Sequence, residues 1–390
     1  MNNGKFVFSQ ITSFIVRNEF NKCVYRYDGN FRTKELSCWS QFLYLMFGQL
    51  THRESITDIV LCLSAHGSSV YHLGIKNVVA VSTITRANES RDWRIFADFA
   101  GYLLGTTRPL YINDIDFSLD LQNTVYAFDS TTIDLCLSVF AWAKFRTTKA
   151  AVKMHTLIDL RGNLPTFIYI SEGNVHDVNA LDELSFEEKA FYIMDRGYVD
   201  FKRLYRVNTS GSFFVVRVKD NMKFRCVRSS PVDKNTGLRC DQTIRLTVKK
   251  SAADYPEYLR RVKYYDKETK LTFVFLTNNF DIGALQIALL YKQRWQVELF
   301  FKWIKQHLRI TTFYGHSANA VKTQIWIAIC TYLLIAQIKK QLSINLSLYE
   351  IMQIFSVSAL SKMPINELLT PSVPEITEQP QRNQLNLFDL

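Results

Sequence analysis

FYIMDRGYVDFKRLYRVNTSGSFFVVRV, residues 191–218, reads as a strand, a helix and a strand. Residues 191–194 form an apolar run too short for a helix, and Asp195 closes it. Residues 200–207 carry apolar side chains at helical spacing, and residues 213–218 are apolar again after Gly211. Upstream the texture is the same: residues 124–128, 152–158 and 166–170 read as strands, and 177–184 as a helical stretch. Gly162-Asn163 supplies a hairpin turn between the second and third of these strands, lengthened by Leu164-Pro165. The expected fold class is α/β.

Further along, the strand-prone segments FRCV, TIRLTV, RRVKYY and LTFVFL predict a β subdomain inserted over about residues 219–280. Helical periodicity resumes near Gly283. Three strands, a helix, a strand, a helix and a strand, with a final helix beyond the insertion, resemble the ribonuclease-H-like fold over residues 120–310. Residues 1–110 read as helical, with segments at 41–50, 56–64 and 83–104. Ser82 is placed to cap the last of these, which carries Arg86 and Arg91. A short helix followed by an Arg-bearing one resembles a helix-turn-helix, which predicts DNA contact through Arg86 and Arg91. The alternative is a helical bundle with a solvated basic face. Residues 311–370 read as a helical C-terminal region and 371–390 as a flexible tail.

Composition narrows the class. The formal net charge of +11 suits a polyanionic partner, since Lys and Arg release condensed counterions on meeting phosphates. Seven scattered cysteines form no zinc pattern, and their odd number argues against a disulfide framework, so reduced thiols in a cytoplasm are expected. The N-terminus lacks the apolar core of a signal peptide. The apolar run 325–338 is too short to span a bilayer and reads as a buried helix, so no membrane partner is expected.

Three acids stand out by placement. Asp129 follows Val125-Tyr126-Ala127-Phe128, and Asp195 follows Phe191-Tyr192-Ile193-Met194. An acid at the exposed end of a buried strand is held by a rigid sheet, where reacting groups are needed, although Asp also ends strands simply by capping turns. Glu298 is the only carboxylate between Asp281 and Glu350, among eight Lys and Arg. On a helix turning about 100° per residue, Tyr291, Arg294, Glu298, Lys302 and Lys305 share an arc of about 80°. Beside them, Leu290, Val297, Phe300, Phe301, Ile304 and Leu308 form an apolar stripe. A solvated face with an (i, i+4) pair such as Glu298–Lys302 explains one contact. It does not explain the absence of other acids. A metal-holding Glu within a phosphate-gripping surface explains both.

Phosphodiester cleavage needs an activated water or 3′-hydroxyl and neutralisation of charge on phosphorus and the leaving oxygen. Two Mg²⁺ ions roughly 3.5–4 Å apart supply both. Mg²⁺ takes oxygen ligands, so three carboxylates plus the substrate phosphate suffice, and no Cys or His ligand is required.

The spacing Y-x2-R-x3-E-x6-K (Tyr291, Arg294, Glu298, Lys305) resembles the YREK signature of the insertion-sequence-4 family of bacterial transposases. Asp129 in AFDSTTIDL and Asp195 in MDRGYVDF resemble that family's two aspartate motifs, in the right order. The resemblance implies a DDE enzyme in which Asp129, Asp195 and Glu298 hold Mg²⁺, with Mn²⁺ as a substitute, and Tyr291, Arg294, Lys302 and Lys305 grip DNA. It implies cut-and-paste transposition by a homodimer on double-stranded DNA, acting on the element's terminal inverted repeats and on target DNA. In a related transposase type a Trp from the β insertion stacks a flipped base, but all six Trp here lie outside the insertion. Phe213, Phe224, Tyr264 and Tyr265 are the aromatic substitutes.

Smaller signals remain. Lys153 and His155 lie on the second strand, Asp177 reads as a helix cap, Asp200 as a helix start, and Asp134 ranks below Asp129 because it lies beyond the strand. Gln384-Leu385-Asn386-Leu387-Phe388 resembles a peptide that docks on the replication sliding clamp. Two rivals to the transposase stay open: a non-catalytic or domesticated DNA-binding protein, and a ribonuclease-H-like nuclease that cuts without strand transfer. A carboxylate-pair glycosidase gives no role to the cationic helix.

Overall fold

Among the described residues six α-helices come first: α1 (Val7–Thr12), α2 (Arg17–Arg26), α3 (Cys38–Leu50), α4 (Ile56–Ser64), α5 (Val81–Ser90) and α6 (Arg94–Thr107). These assignments come from a computed structural model, which describes residues 4–113, 121, 123–146, 149–218, 222–308, 310 and 313–370. Ser37 and Ser55 start α3 and α4 by accepting the amides of Ser40 and Asp58. The single helix expected over 83–104 is two. Asp92 breaks it, accepting the Arg94 amide at 2.9 Å and so opening α6. Ala80, not Ser82, is the residue before α5. Between α4 and α5 the chain runs through a 3-10 helix, Gly67–Leu73, instead of the tight turn of a helix-turn-helix.

The sheet comprises β1 (Val125–Leu135), β2 (Lys144–Arg146), β3 (Lys149–Asp159), β4 (Leu164–Glu172), β5 (Phe191–Met194), β6 (Phe213–Arg217), β7 (Phe224–Ser230), β8 (Leu238–Leu246), β9 (Leu259–Asp266) and β10 (Leu271–Thr277). Its order is β2-β3-β1-β5-β6-β10-β9-β8-β7, with β4 also on β3. The strands β4, β3 and β1 are antiparallel neighbours, while β1, β5 and β6 are parallel. Gly162 and Asn163 turn β3 into β4 with φ of 76° and 54°, the left-handed pair a tight hairpin requires. The crossover into β5 holds a 3-10 helix, Asp177–Glu183, in place of the expected α-helix, and α7 (Phe201–Thr209) links β5 to β6. Asp200 caps α7 by accepting the Arg203 amide. The inserted strands do not stand apart: β10 pairs with β6, so one sheet continues into them. α8 (Lys249–Asp254) lies between β8 and β9.

β1 runs six residues past Asp129, so both Asp129 and Asp134 lie within a strand. The polar run Asp129-Ser130-Thr131-Thr132 hides this in the sequence. Among the described residues its partner across all of that run is β3 alone.

The last helices are α9 (Ala284–Lys292), α10 (Trp295–His307), α11 (Ala318–Gln341), α12 (Leu348–Ser358) and α13 (Ile365–Leu368). The helix expected to carry Tyr291 through Lys305 is broken. Between α9 and α10 the amides of Gln293, Arg294, Gln296 and Val297 bond three residues back, which tightens the turn. α11 is long and apolar enough to cross a membrane by composition, but 89% of its apolar window is buried. It packs on α6, α3, α5 and α12, so the N- and C-terminal helices share one core. A second core lies on the other face of the sheet, under α7 and α8.

Candidate active site

Parallel pairing of Phe128 with Met194 sets Asp129 and Asp195 side by side, at the point where β5 ends. Side chains alternate along a strand, so both acids share the face of Ala127 and Ile193, the face packed by α9 and α10. Tyr291, on α9, packs on Phe275 and donates its hydroxyl to Asp195 Oδ1 at 3.0 Å. Arg294, in the break between the helices, forms two ion pairs. Its Nη1 lies 2.7 Å from Asp129 Oδ2 and its Nη2 2.5 Å from Glu298 Oε1. Lys305 donates to the Thr132 carbonyl at 2.7 Å. Lys302 is exposed and has no ion pair among the described residues.

Six of the expected residues thus converge on one corner of the sheet: Asp129, Asp195, Tyr291, Arg294, Glu298 and Lys305. Helix periodicity predicted the contact face, although the break means that α9 and α10 deliver it separately. Arg86 and Arg91 lie elsewhere. Arg86 is exposed on α5. Arg91 turns inward, giving hydrogen bonds to Gln41 Oε1 and the Leu36 carbonyl, and burial lowers its pKa. Its guanidinium ties the α5–α6 junction to α3, which leaves the DNA contact expected of it without support. Of the aromatic substitutes, Tyr264 is buried and Phe213 packs on Phe191, while Tyr265 faces the Arg239 guanidinium and Phe224 that of Arg261. Gln384 to Phe388 lie outside the described residues.

The electrostatics centre on Asp129. Burial pushes its carboxyl up to about 6; the Ser130 amide and Arg294 oppose the rise, while Asp195 and Glu298 add to it. Burial lowers Lys305, and burial with Asp195 raises Tyr291 well above a phenol's usual range. Among the described residues no three His, Cys, Asp or Glu side chains gather closely enough to hold one ion. Two of the three acids gather instead on the Arg294 guanidinium. The donor set still fits a hard divalent cation: it is all carboxylate, and mutual repulsion at Asp129 is what such a cation relieves.

Behind Asp129, on the opposite face, lies a polar group that sequence reading did not assemble. Ser130 donates from Oγ to Asp177 Oδ1 at 2.9 Å and from its amide to Asp129 Oδ1 at 2.8 Å. Lys153 Nζ lies 3.1 Å from Asp177 Oδ1. Asp177 caps no helix; His176 occupies that position. His155 is buried, bonded to Ser171 Oγ at 2.9 Å, and burial lowers its pKa to about 4. The only signal for this cluster was the K-x-H spacing on the second strand.

The transposase DDE domain family matches residues 120–334, and a family described only as a domain of unknown function (DUF4372) matches residues 3–76. A protein named as transposase y4zB from Sinorhizobium fredii is 34% identical over 255 residues, covering 64% of this chain and 68% of that protein. A protein named as the transposase of insertion sequence element IS5377 from Geobacillus stearothermophilus is 30% identical, over 59% of this chain and 62% of its own. One named for element IS4SA from Synechocystis is 26% identical, over 66% and 71%. The piggyBac transposase in a synaptic complex with hairpin DNA superposes with a TM-score of 0.46 and 12% identity, over 93% of this chain and 82% of that one. The family match spans more than half the chain and carries the whole convergent corner of the sheet: this protein belongs to the transposase DDE domain family and is a DNA transposase, an enzyme that cleaves DNA and transfers strands.

Proposed function

We propose that Asp129, Asp195 and Glu298 are the metal-holding acids of an insertion-sequence-4-type transposase. The observation that carries this is their convergence, with Tyr291 and Arg294 binding all three. The order β4-β3-β1-β5-β6, antiparallel then parallel, supports a ribonuclease-H-like core over residues 120–310 with an insertion at about 219–280. Enzymes of this family use divalent metal ions; Mg²⁺, with Mn²⁺ as a substitute, fits these carboxylates. Bound there, the ions would supply an activated nucleophile and neutralise charge on the phosphate and the leaving oxygen. The chain's own side chains do the rest. Tyr291 orients Asp195. Arg294 leaves its two acids for a DNA phosphate, a ligand that its planar guanidinium matches in geometry. Lys302 stands free for the strand, and Lys305 supports the β1 backbone beside it.

Residues 1–110 we read as the domain that binds the element's terminal inverted repeats, with exposed Arg86 as a contact, and residues 311–370 as helical support for it. The functional unit is a homodimer on DNA in the bacterial cytoplasm, at the nucleoid. Gln384 to Phe388 serve as a sliding-clamp peptide. The test uses labelled element-end DNA with Mg²⁺. The wild-type chain cleaves and joins the ends, while Glu298→Gln binds them with unchanged affinity and does neither. Cleavage by Glu298→Gln at the wild-type rate would refute the assignment.

A further inference from the structure

We propose that Lys153 and Asp177 are positioning residues for the reaction, a brace on the far face of the sheet that fixes, through Ser130, the part of β1 carrying Asp129. The inference rests on Asp129 being one of the metal-holding acids.

The need for a brace follows from the pairing. Up to Phe128, β1 is held on both edges, by β3 and by β5. From Asp129 onward only β3 remains among the described residues. The acid that must be placed to within about half an ångström therefore sits where the sheet has just lost half its support. Ser130 is the next residue, and alternation turns its side chain to the other face, that of Tyr126 and Phe128. There its hydroxyl meets Asp177 at 2.9 Å, while its amide holds Asp129 Oδ1 at 2.8 Å. One residue thus links the brace to the acid.

Asp177 is in turn fixed. Lys153 Nζ lies 3.1 Å from it and is anchored by the Val175 carbonyl at 2.8 Å. Lys153 comes from β3, where its register partner is Thr132, whose carbonyl Lys305 holds. His155, opposite Ser130, keeps its Nδ1 4.0 Å from Asp177 without a hydrogen bond. The polar run of β1 is therefore clamped on both sides of Ser130.

Stability alone does not account for this pair. Lys153 is 13% exposed but Asp177 is 40% exposed, so water screens the pair from one side and its contribution to stability is modest. A chain that needed only the fold would lose little by dropping it. Positioning predicts the opposite pattern: small effects on melting, large effects on turnover.

The test compares Lys153→Met, Lys153→Arg, Asp177→Asn and Asp129→Asn in the full chain. Three quantities are read: Mn²⁺ affinity by calorimetry, kcat and KM for cleavage of element-end DNA, and the melting temperature. Lys153→Met and Asp177→Asn should lower kcat and Mn²⁺ affinity by about 10–100-fold, as outer-shell changes around metal sites do. KM should stay unchanged, Tm should fall by no more than a few degrees, and Lys153→Arg should recover most of the rate. Wild-type kcat and Mn²⁺ affinity in both variants would overturn the brace, as would a rise in KM at constant kcat, which would make Lys153 a DNA contact. Asp129→Asn separates the two levels: if it also retains full activity, the assignment of the acids fails, whereas if it is dead while the brace variants are active, only the brace fails.

Discussion

Arg294 is the residue on which most of the site turns. Its guanidinium bridges Asp129 and Glu298, two acids that repel one another, and under the proposed assignment it holds the cation's place between them. A divalent ion must compete with it. Removing the guanidinium should therefore raise Mn²⁺ affinity in the absence of DNA. For Arg294→Gln we expect roughly tenfold tighter binding, comparable with the ~1.5 kcal/mol of a charged hydrogen bond, together with weaker binding to element ends. Calorimetry without DNA checks this; unchanged or weaker Mn²⁺ binding would show that the arginine does not occupy the ion's place. His155 gives a second prediction. Its folded pKa is depressed to about 4 by burial, so between pH 6.5 and 4 the unfolded chain takes up a proton that the native one refuses. The stability His155 contributes is complete above its unfolded pKa and is lost as pH falls through that window, roughly 3 kcal/mol by its lower end. Denaturant melts of wild type and His155→Gln should diverge there; parallel curves would contradict a neutral, buried imidazole.

Among the elements, the β3–β4 hairpin and the α9–α10 junction show what the sequence can and cannot disclose. Gly162-Asn163 announces its turn through residue type, because few others accept positive φ. The structure adds a reason specific to this chain: a Cβ on Gly162 would lie 2.1 Å from Tyr111 Cδ1. Gly162→Ala should therefore cost more than the ordinary left-handed penalty, on the order of 3 kcal/mol, measurable as a drop in Tm without loss of DNA binding. At residues 291–305 the sequence disclosed the participants and their common face but not the break between helices. Periodicity reports which side chains look the same way, whereas the i to i−3 bonds at Gln293 and Arg294 fall where Arg294 meets Asp129, a partner distant in the chain that no local pattern records. β1 is similar. Its apolar half was legible, and its polar half was not, because Asp129 to Thr132 lack strand alternation and are held by tertiary partners instead.

In the molecule as a whole, the helical ends form one body. α11 fills the groove between α6, α3 and α5, so residues far apart in sequence bury one another. Cys330 illustrates the point: it is fully buried against α6, its thiol bonded to the Phe96 carbonyl. A chain truncated after residue 310 should expose the apolar faces of α6 and α3, bind a hydrophobic dye and lose cooperative melting. A soluble fragment with a single sharp transition would show that the N-terminal helices are self-sufficient. Helical content at both ends was readable from periodicity. Their union was not, because no local pattern records which distant helix covers a given stripe.

The assignment of the three acids is tested most directly by anomalous diffraction from crystals of the full chain with element-end DNA and Mn²⁺. We predict Mn²⁺ held by Asp129, Asp195 and Glu298, with the Arg294 guanidinium moved from its two carboxylates onto a DNA phosphate. Mn²⁺ bound elsewhere, with Arg294 still bridging Asp129 and Glu298 beside a bound DNA end, would contradict it.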